Sequence, residues 1–282
     1  MLSNDSLQGR VILVSGGTAG LGLSMARRFL ELGGGVSVCG RDEARLREAL
    51  SELRETAANR VHGSVCDVRD FQAVDAWVAG AAEALGPPDG LVNNAAGNFL
   101  AATEDLSPNA FDAVVRIVLH GTFHATLATG RRMIEAGGGA IVNILTTYAH
   151  TGSAFVVPSA AGKGGVLSMT RSLAVEWATY GIRVNAIAPG PFPTEGAWSR
   201  LMPTPDLERE ALARIPLGRF GEHPELAELA AFLLSNAGAY ITGDCVTIDG
   251  GRTLASGGEF NSLVSRPRED LKAIFRALRP DK

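Results

Sequence analysis

Residues 10–32, RVILVSGGTAGLGLSMARRFLEL, give the first indication of the fold. Its first part, Arg10–Ser15, is apolar and rich in β-branched residues, which predicts a buried strand. From Gly20 to Leu32 the apolar residues recur at helical spacing. The turn between them has the spacing G-x-x-x-G-x-G, formed by Gly16, Gly20 and Gly22. Glycines let backbone amides at a helix N-terminus approach an anion, so the stretch predicts a dinucleotide site rather than a ligand-free turn.

Apolar runs alternate with helical patterns along the rest of the chain. Further strands are predicted at Gly35–Cys39, Val61–Val65, Leu91–Asn93, Ala140–Leu145, Ile182–Ala188 and Val246–Ile248. Helices are predicted at Asp42–Ala57, Phe71–Leu85, Pro108–Ala136, Ser159–Tyr180, Glu225–Leu234 and Asp270–Ala277. Because the strands are apolar throughout and are separated by helices, we expect an α/β fold. It is a doubly wound parallel Rossmann sheet of about seven strands with helices on both faces.

Composition and continuity predict one domain over residues 1–282. The Pro-rich segment 191–222 is expected to form a substrate lid, and residues 261–282 a polar tail. The net charge of −4 disfavours a nucleic-acid partner. With no long apolar run, no leader-like start and unpaired cysteines, the chain is expected to be cytoplasmic and not in a membrane. The cysteines show no metal-site spacing, and His120 and His124, four residues apart without a carboxylate companion, are weak evidence for a metal.

The end of the second predicted strand indicates which dinucleotide binds. There Cys39, Gly40 and Arg41 stand where an NAD-binding protein would have an acidic residue for the ribose hydroxyls. Arg41 suits a 2′-phosphate, so NADP(H) is predicted, although Asp42 leaves NAD open. Asp67, after the third strand, is predicted to accept a hydrogen bond from the adenine amino group. Its alternative role is a helix N-cap.

Two more motifs carry a resemblance to a known family. The run NNAAG at residues 93–97 follows the fourth strand, and PGPFPT at 189–194 follows the sixth. Together with the glycine turn they resemble the short-chain dehydrogenase/reductases over nearly the whole chain. In that family the Asn-Ala-Gly run stabilises the central sheet, and the Pro-Gly run with its Thr holds the nicotinamide amide. The resemblance implies these cofactor contacts: Ser15, Gly16, Gly17, Thr18, Gly20, Leu21, Gly22, Arg41, Asp67, Val68, Asn94, Ala95, Lys163, Pro189, Gly190, Phe192 and Thr194.

The sequence departs from the family at the catalytic pair Tyr-x-x-x-Lys. Lys163 is at the family's position, but Ser159 stands where the family has its Tyr. Thr146 occupies the position of the upstream Ser, and Val118 that of the usual catalytic Asn. Because a carbonyl reductase needs a phenol beside the substrate oxygen, ordinary ketone reduction is disfavoured. The phenol close by in sequence is Tyr148, just past the fifth strand.

This relocation is similar to that of the NADPH-dependent 2,4-dienoyl-CoA reductases, a subgroup of the family. NNAAGNF at 93–99, LSPNA at 106–110, WSRL at 198–201 and GEFN at 258–261 also resemble it. The resemblance implies that Tyr148 and Asn98 stabilise the dienolate oxygen, with Lys163 on the nicotinamide ribose and Ser159 hydrogen-bonded within the site. It implies an acyl-CoA thioester substrate and a homo-oligomer, in the family usually a tetramer. By position, the implied substrate contacts are Arg41, Arg69, Phe99, Ser107 and Arg200.

Purely structural roles remain open for several of these residues. Tyr148 could be a packing residue, Asn98 a turn cap and Lys163 a solvated helix charge, while Arg69 and Arg200 could form surface ion pairs. On the same fold, the chain could be an enoyl-CoA or 3-oxoacyl reductase or a polyol dehydrogenase. It could also bind NADP(H) without catalysis.

Overall fold

The computed structural model describes residues 2–194, 198, 202 and 204–278. Its centre is one parallel sheet with the strand order β3-β2-β1-β4-β5-β6-β7. The strands, in chain order, are β1 Val11–Ser15, β2 Gly35–Gly40, β3 Val61–Val65, β4 Gly90–Asn93, β5 Gly139–Ile144, β6 Ile182–Pro189 and β7 Cys245–Ile248. The predicted doubly wound Rossmann sheet is therefore confirmed.

Helices cover both faces of this sheet. In chain order they are α1 Gly20–Glu31, α2 Glu43–Ala57, α3 Phe71–Leu85, α4 Pro108–Val115, α5 Gly121–Ala136, α6 Tyr148–Thr151, α7 Val157–Glu176, α8 Pro205–Ala213, α9 His223–Leu234, α10 Arg252–Ala255 and α11 Arg268–Ala277. Helices α1, α2 and α9 bury apolar residues in one core cluster. Helices α3, α5 and α7 do so in a second cluster on the other face. Among the described residues, no helix is both long and apolar enough to cross a membrane.

The predicted helix over 108–136 is interrupted by a π-helical segment, Arg116–His120. Such segments are rare and frequently occur at functional sites. Val118 lies within this segment and is fully buried. A Cβ at Gly162 of α7 would lie 3.0 Å from a Val118 methyl carbon, so the two helices approach closely here. The apolar residue at the position of the family's Asn therefore serves packing.

Other differences from the predicted elements are local. Helix α7 begins at Val157, two residues before the prediction, because Pro158 in the first turn needs no hydrogen-bond partner for its nitrogen. Within the predicted lid, residues 205–213 form helix α8. The short helix α6 was not predicted. That one domain spans residues 1–282 and that residues 191–222 act as a lid both stay predictions.

A buried chain of polar side chains ties the middle of the sheet to the helices. Asn93 Nδ2 of β4 lies 2.9 Å from Thr126 Oγ1 of α5 and 2.8 Å from Asn143 Oδ1 of β5. Asn143 Nδ2 in turn donates to Thr170 Oγ1 of α7 at 2.8 Å. Buried amide groups need hydrogen-bond partners, so this row of polar side chains fixes where α5 and α7 pack on the sheet.

Candidate active site

A cleft of about 1270 Å³ lies beyond the carboxyl ends of the strands. The strand order reverses at β1, which has β2 on one side and β4 on the other. Ligands of open α/β sheets bind at such a reversal, because the two connecting segments diverge there. Most of the predicted cofactor residues line this cleft: Gly16, Thr18, Gly20, Leu21, Arg41, Asp67, Val68, Asn94, Ala95, Lys163, Pro189, Gly190, Phe192 and Thr194.

The glycine turn between β1 and α1 requires its glycines. Gly16 and Gly20 have φ values of +64° and +52°, a region that side chains disfavour. A Cβ at Gly22 would lie 2.3 Å from the carbonyl oxygen of Gly16. Gly17 is similarly confined, since its Cβ would lie 2.7 Å from a Val38 methyl carbon. Gly17 and Gly22 are not part of the cleft wall, and they allow the turn to pack.

Side chains behind the turn hold it in place. Ser15 Oγ accepts the amides of Asn94 at 3.1 Å and Ala95 at 3.2 Å. Asn94 Nδ2 donates to the carbonyl oxygen of Gly16 at 2.9 Å. The residues after β1 and β4 are thus bound to one another, and Ser15 supports the cleft from behind.

The residues after β2 fit the NADP(H) prediction. A Cβ at Gly40 would lie 2.7 Å from Thr18 Oγ1, so an acidic side chain has no room there. Asp42 is the N-cap of α2, where its carboxylate accepts the amide of Arg45 at 3.1 Å. Arg41 is exposed on the cleft wall, and it forms no ion pair with the residues that the structure describes.

Asp67 and Arg69, which the sequence predicts to bind different ligands, bind each other. Arg69 Nε lies 3.0 Å from both carboxylate oxygens of Asp67. The hydrogen bond from Arg69 lowers the pKa of Asp67 below its usual value. Asp67 still lines the cleft, whereas Arg69 does not. The surface ion pair that sequence reasoning left open for Arg69 is therefore present, and its contact with the substrate stays a prediction.

Three side chains from separate segments meet at the opposite end of the cleft. Tyr148 begins α6 shortly after β5 ends at Ile144, Asn98 lies in the loop after β4, and Ser159 is in the first turn of α7. Asn98 Nδ2 lies 3.1 Å from the Tyr148 hydroxyl. The Tyr148 hydroxyl lies 3.0 Å from Ser159 Oγ. The amide of Phe99 donates to Asn98 Oδ1 at 2.9 Å, which keeps the NH₂ group turned towards the phenol.

Lys163 lies one helical turn after Ser159 and is buried. Its Nζ donates to the carbonyl oxygen of Ile144 at the end of β5. Burial lowers the pKa of Lys163 to about 8, because the ammonium loses its hydration and gains no carboxylate partner. A side chain this buried is not the solvated helix charge that sequence reasoning allowed.

The Pro-Gly run after β6 forms the wall nearest α1. A Cβ at Gly190 would lie 2.7 Å from Asp249 Cβ, so a larger residue would displace the chain after β7. His223 also lines the cleft, and its Nε2 lies 2.6 Å from the carbonyl oxygen of Pro193. Sequence reasoning missed His223, because it begins α9 some distance along the chain and belongs to no motif.

Two further predicted substrate contacts, Phe99 and Ser107, lie outside the cleft wall. Phe99 packs against the apolar cluster that contains Val114 and Leu145. Ser107 is the N-cap of α4 and accepts the amide of Ala110 at 3.2 Å. Arg200 lies outside the described residues. The proposed substrate contacts of Phe99, Ser107 and Arg200 stay predictions.

Comparison with known proteins agrees with this geometry. A family profile described as "Enoyl-(Acyl carrier protein) reductase" matches residues 16–253, from the glycine turn to beyond β7. The chain belongs to the short-chain dehydrogenase/reductase family. The resemblance on which the sequence analysis relied is confirmed.

Relatives within the family include 2,4-dienoyl-CoA reductases. A Bacillus subtilis (strain 168) protein named "Probable 2,4-dienoyl-CoA reductase [(2E)-enoyl-CoA-producing]" is 44% identical over 250 residues, 88% of this chain and 98% of the relative. Arabidopsis thaliana "Peroxisomal 2,4-dienoyl-CoA reductase [(3E)-enoyl-CoA-producing]" is 37% identical over 284 residues, 97% and 92% of the two chains. The solved gluconate 5-dehydrogenase of Burkholderia cenocepacia J2315, in complex with NADP and tartrate, has a TM-score of 0.84. It is 32% identical and covers 89% of this chain and 98% of its own.

The family implies a nicotinamide dinucleotide, and the residues present fit one. The left-handed backbone at Gly16 and Gly20 leaves the turn open for a pyrophosphate. Arg41 supplies a cation at one end of the cleft. At the other end, Lys163 has a backbone carbonyl as its partner and two further donors for ribose hydroxyls.

Proposed function

We propose that this protein reduces 2,4-dienoyl-CoA thioesters to 3-enoyl-CoA thioesters with NADPH. The observation that carries the proposal is the Tyr148 hydroxyl, which lies between Asn98 Nδ2 and Ser159 Oγ. The family's usual position for the phenol, residue 159, holds a serine instead. A phenol with a neighbouring amide donor suits the stabilisation of an oxyanion on a conjugated thioester.

The reaction places negative charge on the thioester oxygen. A reduced nicotinamide held by the glycine turn and Lys163 would supply the hydride for C5 of the dienoyl group. The electrons of both double bonds then shift towards the thioester, giving a dienolate with its charge on oxygen. Protonation at C2 leaves the double bond between C3 and C4, and one proton from solvent balances the reaction.

The three side chains divide the work of holding that oxygen. The Tyr148 oxygen accepts a hydrogen bond from Asn98, so its own proton is left to be donated to the dienolate. Asn98 Nδ2 has a second N–H that can point at the same oxygen. Ser159 donates to the phenol oxygen when the Tyr148 proton is engaged by substrate, and so keeps the phenol oriented.

Lys163 adds positive charge close to these donors. Below about pH 8 its ammonium is protonated. A buried cation favours the developing dienolate, because charges interact strongly where water is excluded. Its remaining N–H groups bind the nicotinamide ribose.

NADPH is preferred over NADH in this proposal because Arg41 faces the cleft and Thr18 excludes an acidic side chain at Gly40. Arg41 also serves the CoA end, where phosphates need a cation. Arg69 is occupied by Asp67, so it contributes to CoA binding only where the thioester competes for that pair. The homotetramer that the family resemblance implies and the cytoplasmic location expected from the sequence belong to the same proposal.

The names of the two relatives differ in the product, (2E)-enoyl-CoA for one and (3E)-enoyl-CoA for the other. Protonation at C2 gives the 3-enoyl product, and protonation at C4 gives the 2-enoyl product. The donors Tyr148 and Asn98 are grouped at the thioester oxygen, beside C2. We therefore propose the 3-enoyl product for this chain.

The test is a comparison of thioester substrates with the purified protein and NADPH. Oxidation of NADPH is followed spectrophotometrically with 2,4-dienoyl-, trans-2-enoyl- and 3-oxoacyl-CoA of equal chain length. We expect turnover with the dienoyl-CoA to exceed the other two by at least about 10²-fold, the typical loss when an oxyanion donor is misplaced. Nuclear magnetic resonance of the product identifies the double-bond position. Efficient reduction of the 3-oxoacyl-CoA would reject the proposal.

A further inference from the structure

Two apolar segments meet beside the reaction end of the cleft. Leu100 follows Asn98 by two residues, and Phe155 precedes Ser159 by four. The amide of Ala101 donates to the carbonyl oxygen of Phe155 at 3.0 Å, so the segments lie edge to edge. The side chains of Leu100 and Phe155 are 47% and 61% exposed. We call Leu100 and Phe155 the apolar rim. The two residues do not line the cleft themselves, but they lie close in sequence to Asn98 and Ser159, which do.

Phe155 is held in a backbone conformation that a bulky residue disfavours. Its φ is +64°, and no other residue except glycine has a positive φ in the described part of the chain. Such a conformation costs roughly tenfold or more in the folding equilibrium, and strain of this kind clusters at functional sites. A glycine would form the same turn and the same Ala101 bond without that cost. Folding therefore does not account for the exposed ring.

We infer that the apolar rim binds the hydrocarbon chain of the acyl thioester, which makes Phe155 a residue that determines chain-length specificity. This inference rests on the proposed function, since it names the part of that substrate which lies beyond the reacting diene. The rim is joined through the backbone to the segments that carry Asn98 and Ser159, so a chain leaving the reaction centre on that side meets it next.

The chemistry of the two segments selects this occupant over the CoA moiety. Residues 94–101 (NAAGNFLA) and 152–157 (GSAFVV) contain no charged side chain. The CoA phosphates need cations, whereas a hydrocarbon gains by leaving water against exposed apolar surface. Each methylene in contact should raise the affinity about fourfold. In its strained conformation Phe155 provides both the carbonyl that accepts the Ala101 amide and the exposed ring. The rim therefore keeps a fixed position relative to the loop that carries Asn98.

The experiment measures binding rather than turnover. The complex of the protein with NADP⁺ is titrated calorimetrically with butanoyl-, octanoyl- and dodecanoyl-CoA. The variants are Phe155→Ala, Phe155→Gly, Phe155→Leu and Leu100→Ala, with Tyr240→Ala as the control for removal of an exposed side chain elsewhere. Denaturant unfolding of each variant is measured in parallel. We expect the native protein to bind octanoyl-CoA at least about tenfold more tightly than butanoyl-CoA.

In Phe155→Ala and Phe155→Gly the ratio of octanoyl-CoA affinity to butanoyl-CoA affinity, the chain-length increment, should fall below about threefold. Phe155→Leu and Tyr240→Ala should keep the native ratio. Phe155→Gly should unfold at a denaturant concentration at least as high as the native protein. An increment that survives in both small variants overturns the inference, as does one lost in Phe155→Ala but kept in Phe155→Gly, which would assign the effect to the backbone. If the protein shows the chain-length increment but reduces no dienoyl-CoA, the proposed function is rejected, whereas binding of the hydrocarbon chain by the rim is still supported.

Discussion

The two ends of the cleft are built from different material. At the cofactor end, one contiguous stretch, residues 15–22, folds into the glycine turn that lines the cleft. At the reaction end, Asn98, Tyr148 and Ser159 come from three segments and meet through hydrogen bonds of 3.1 and 3.0 Å. A site formed by backbone groups tolerates substitution at positions other than glycine. A site formed by side chains loses its chemistry when a single reactive atom is removed. The cofactor can therefore stay bound while the reaction is abolished.

The largest expected effect breaks the reaction end alone. Tyr148→Phe keeps the ring and removes the hydroxyl, so turnover of a 2,4-dienoyl-CoA should fall by about 10²–10³. NADPH affinity, measured by fluorescence titration, should hardly change, because the glycine turn, Arg41 and Lys163 are intact. Ser159→Ala is the matched control and should be far milder. Near-normal turnover in Tyr148→Phe with an inactive Ser159→Ala would return the chemistry to the family's usual position.

Lys163 joins the two ends, and its burial gives the next largest effect. In the protein without cofactor, burial lowers the pKa of Lys163 from 10.5 to about 8. Between these pH values the unfolded chain holds a proton that the folded protein has lost, so this group makes stability rise with pH. The change amounts to about 3 kcal/mol over the whole window.

Urea unfolding of the native protein and of Lys163→Met isolates that contribution. At pH 7 the variant should be the more stable of the two, and its advantage should shrink as the pH rises from 8 towards 10. An advantage that does not depend on pH would show that the lysine is solvated in solution. Excess NADPH, which offers hydroxyl partners to the ammonium, should reduce the advantage at pH 7.

A substitution of Arg41 tests the cation that is proposed to select the cofactor. The native protein should bind NADPH at least about tenfold more tightly than NADH, because a charge-assisted contact contributes roughly 1.5–3 kcal/mol. Arg41→Ala should close most of that gap by weakening NADPH alone. Asp42→Ala is the comparison, since its carboxylate caps α2, and it should lower stability without changing the preference. Equal affinity for both cofactors in the native protein would contradict the prediction.

The smallest expected effect concerns Ser107, which lies outside both ends. Ser107 is the N-cap of α4, so Ser107→Ala should lower the free energy of unfolding by about 1 kcal/mol. Ser107→Asp retains a capping oxygen and should restore stability. If Ser107 contacts the substrate, as the resemblance implies, both variants will raise the KM for the thioester. An unchanged KM in the two would leave the cap as its role.

Much of this protein follows from its sequence. The glycine turn, the apolar strands and the helical spacing sufficed for the parallel sheet, because period and turn chemistry are local properties. The exchange of Tyr for Ser159 and the presence of Tyr148 are likewise visible in the chain. Residues such as Gly40 and Arg41 indicated the cofactor without any knowledge of distances.

Which of these side chains touch depends on the folded arrangement of the whole chain. It brought Tyr148 to Asn98 and Ser159, and it buried Lys163 against the carbonyl of Ile144. It also introduced His223 and the strained turn at Phe155, which no pattern indicates. The physical reason is that a hydrogen bond depends on a few tenths of an ångström between residues far apart in sequence. Periodicity and composition carry no information about such distances.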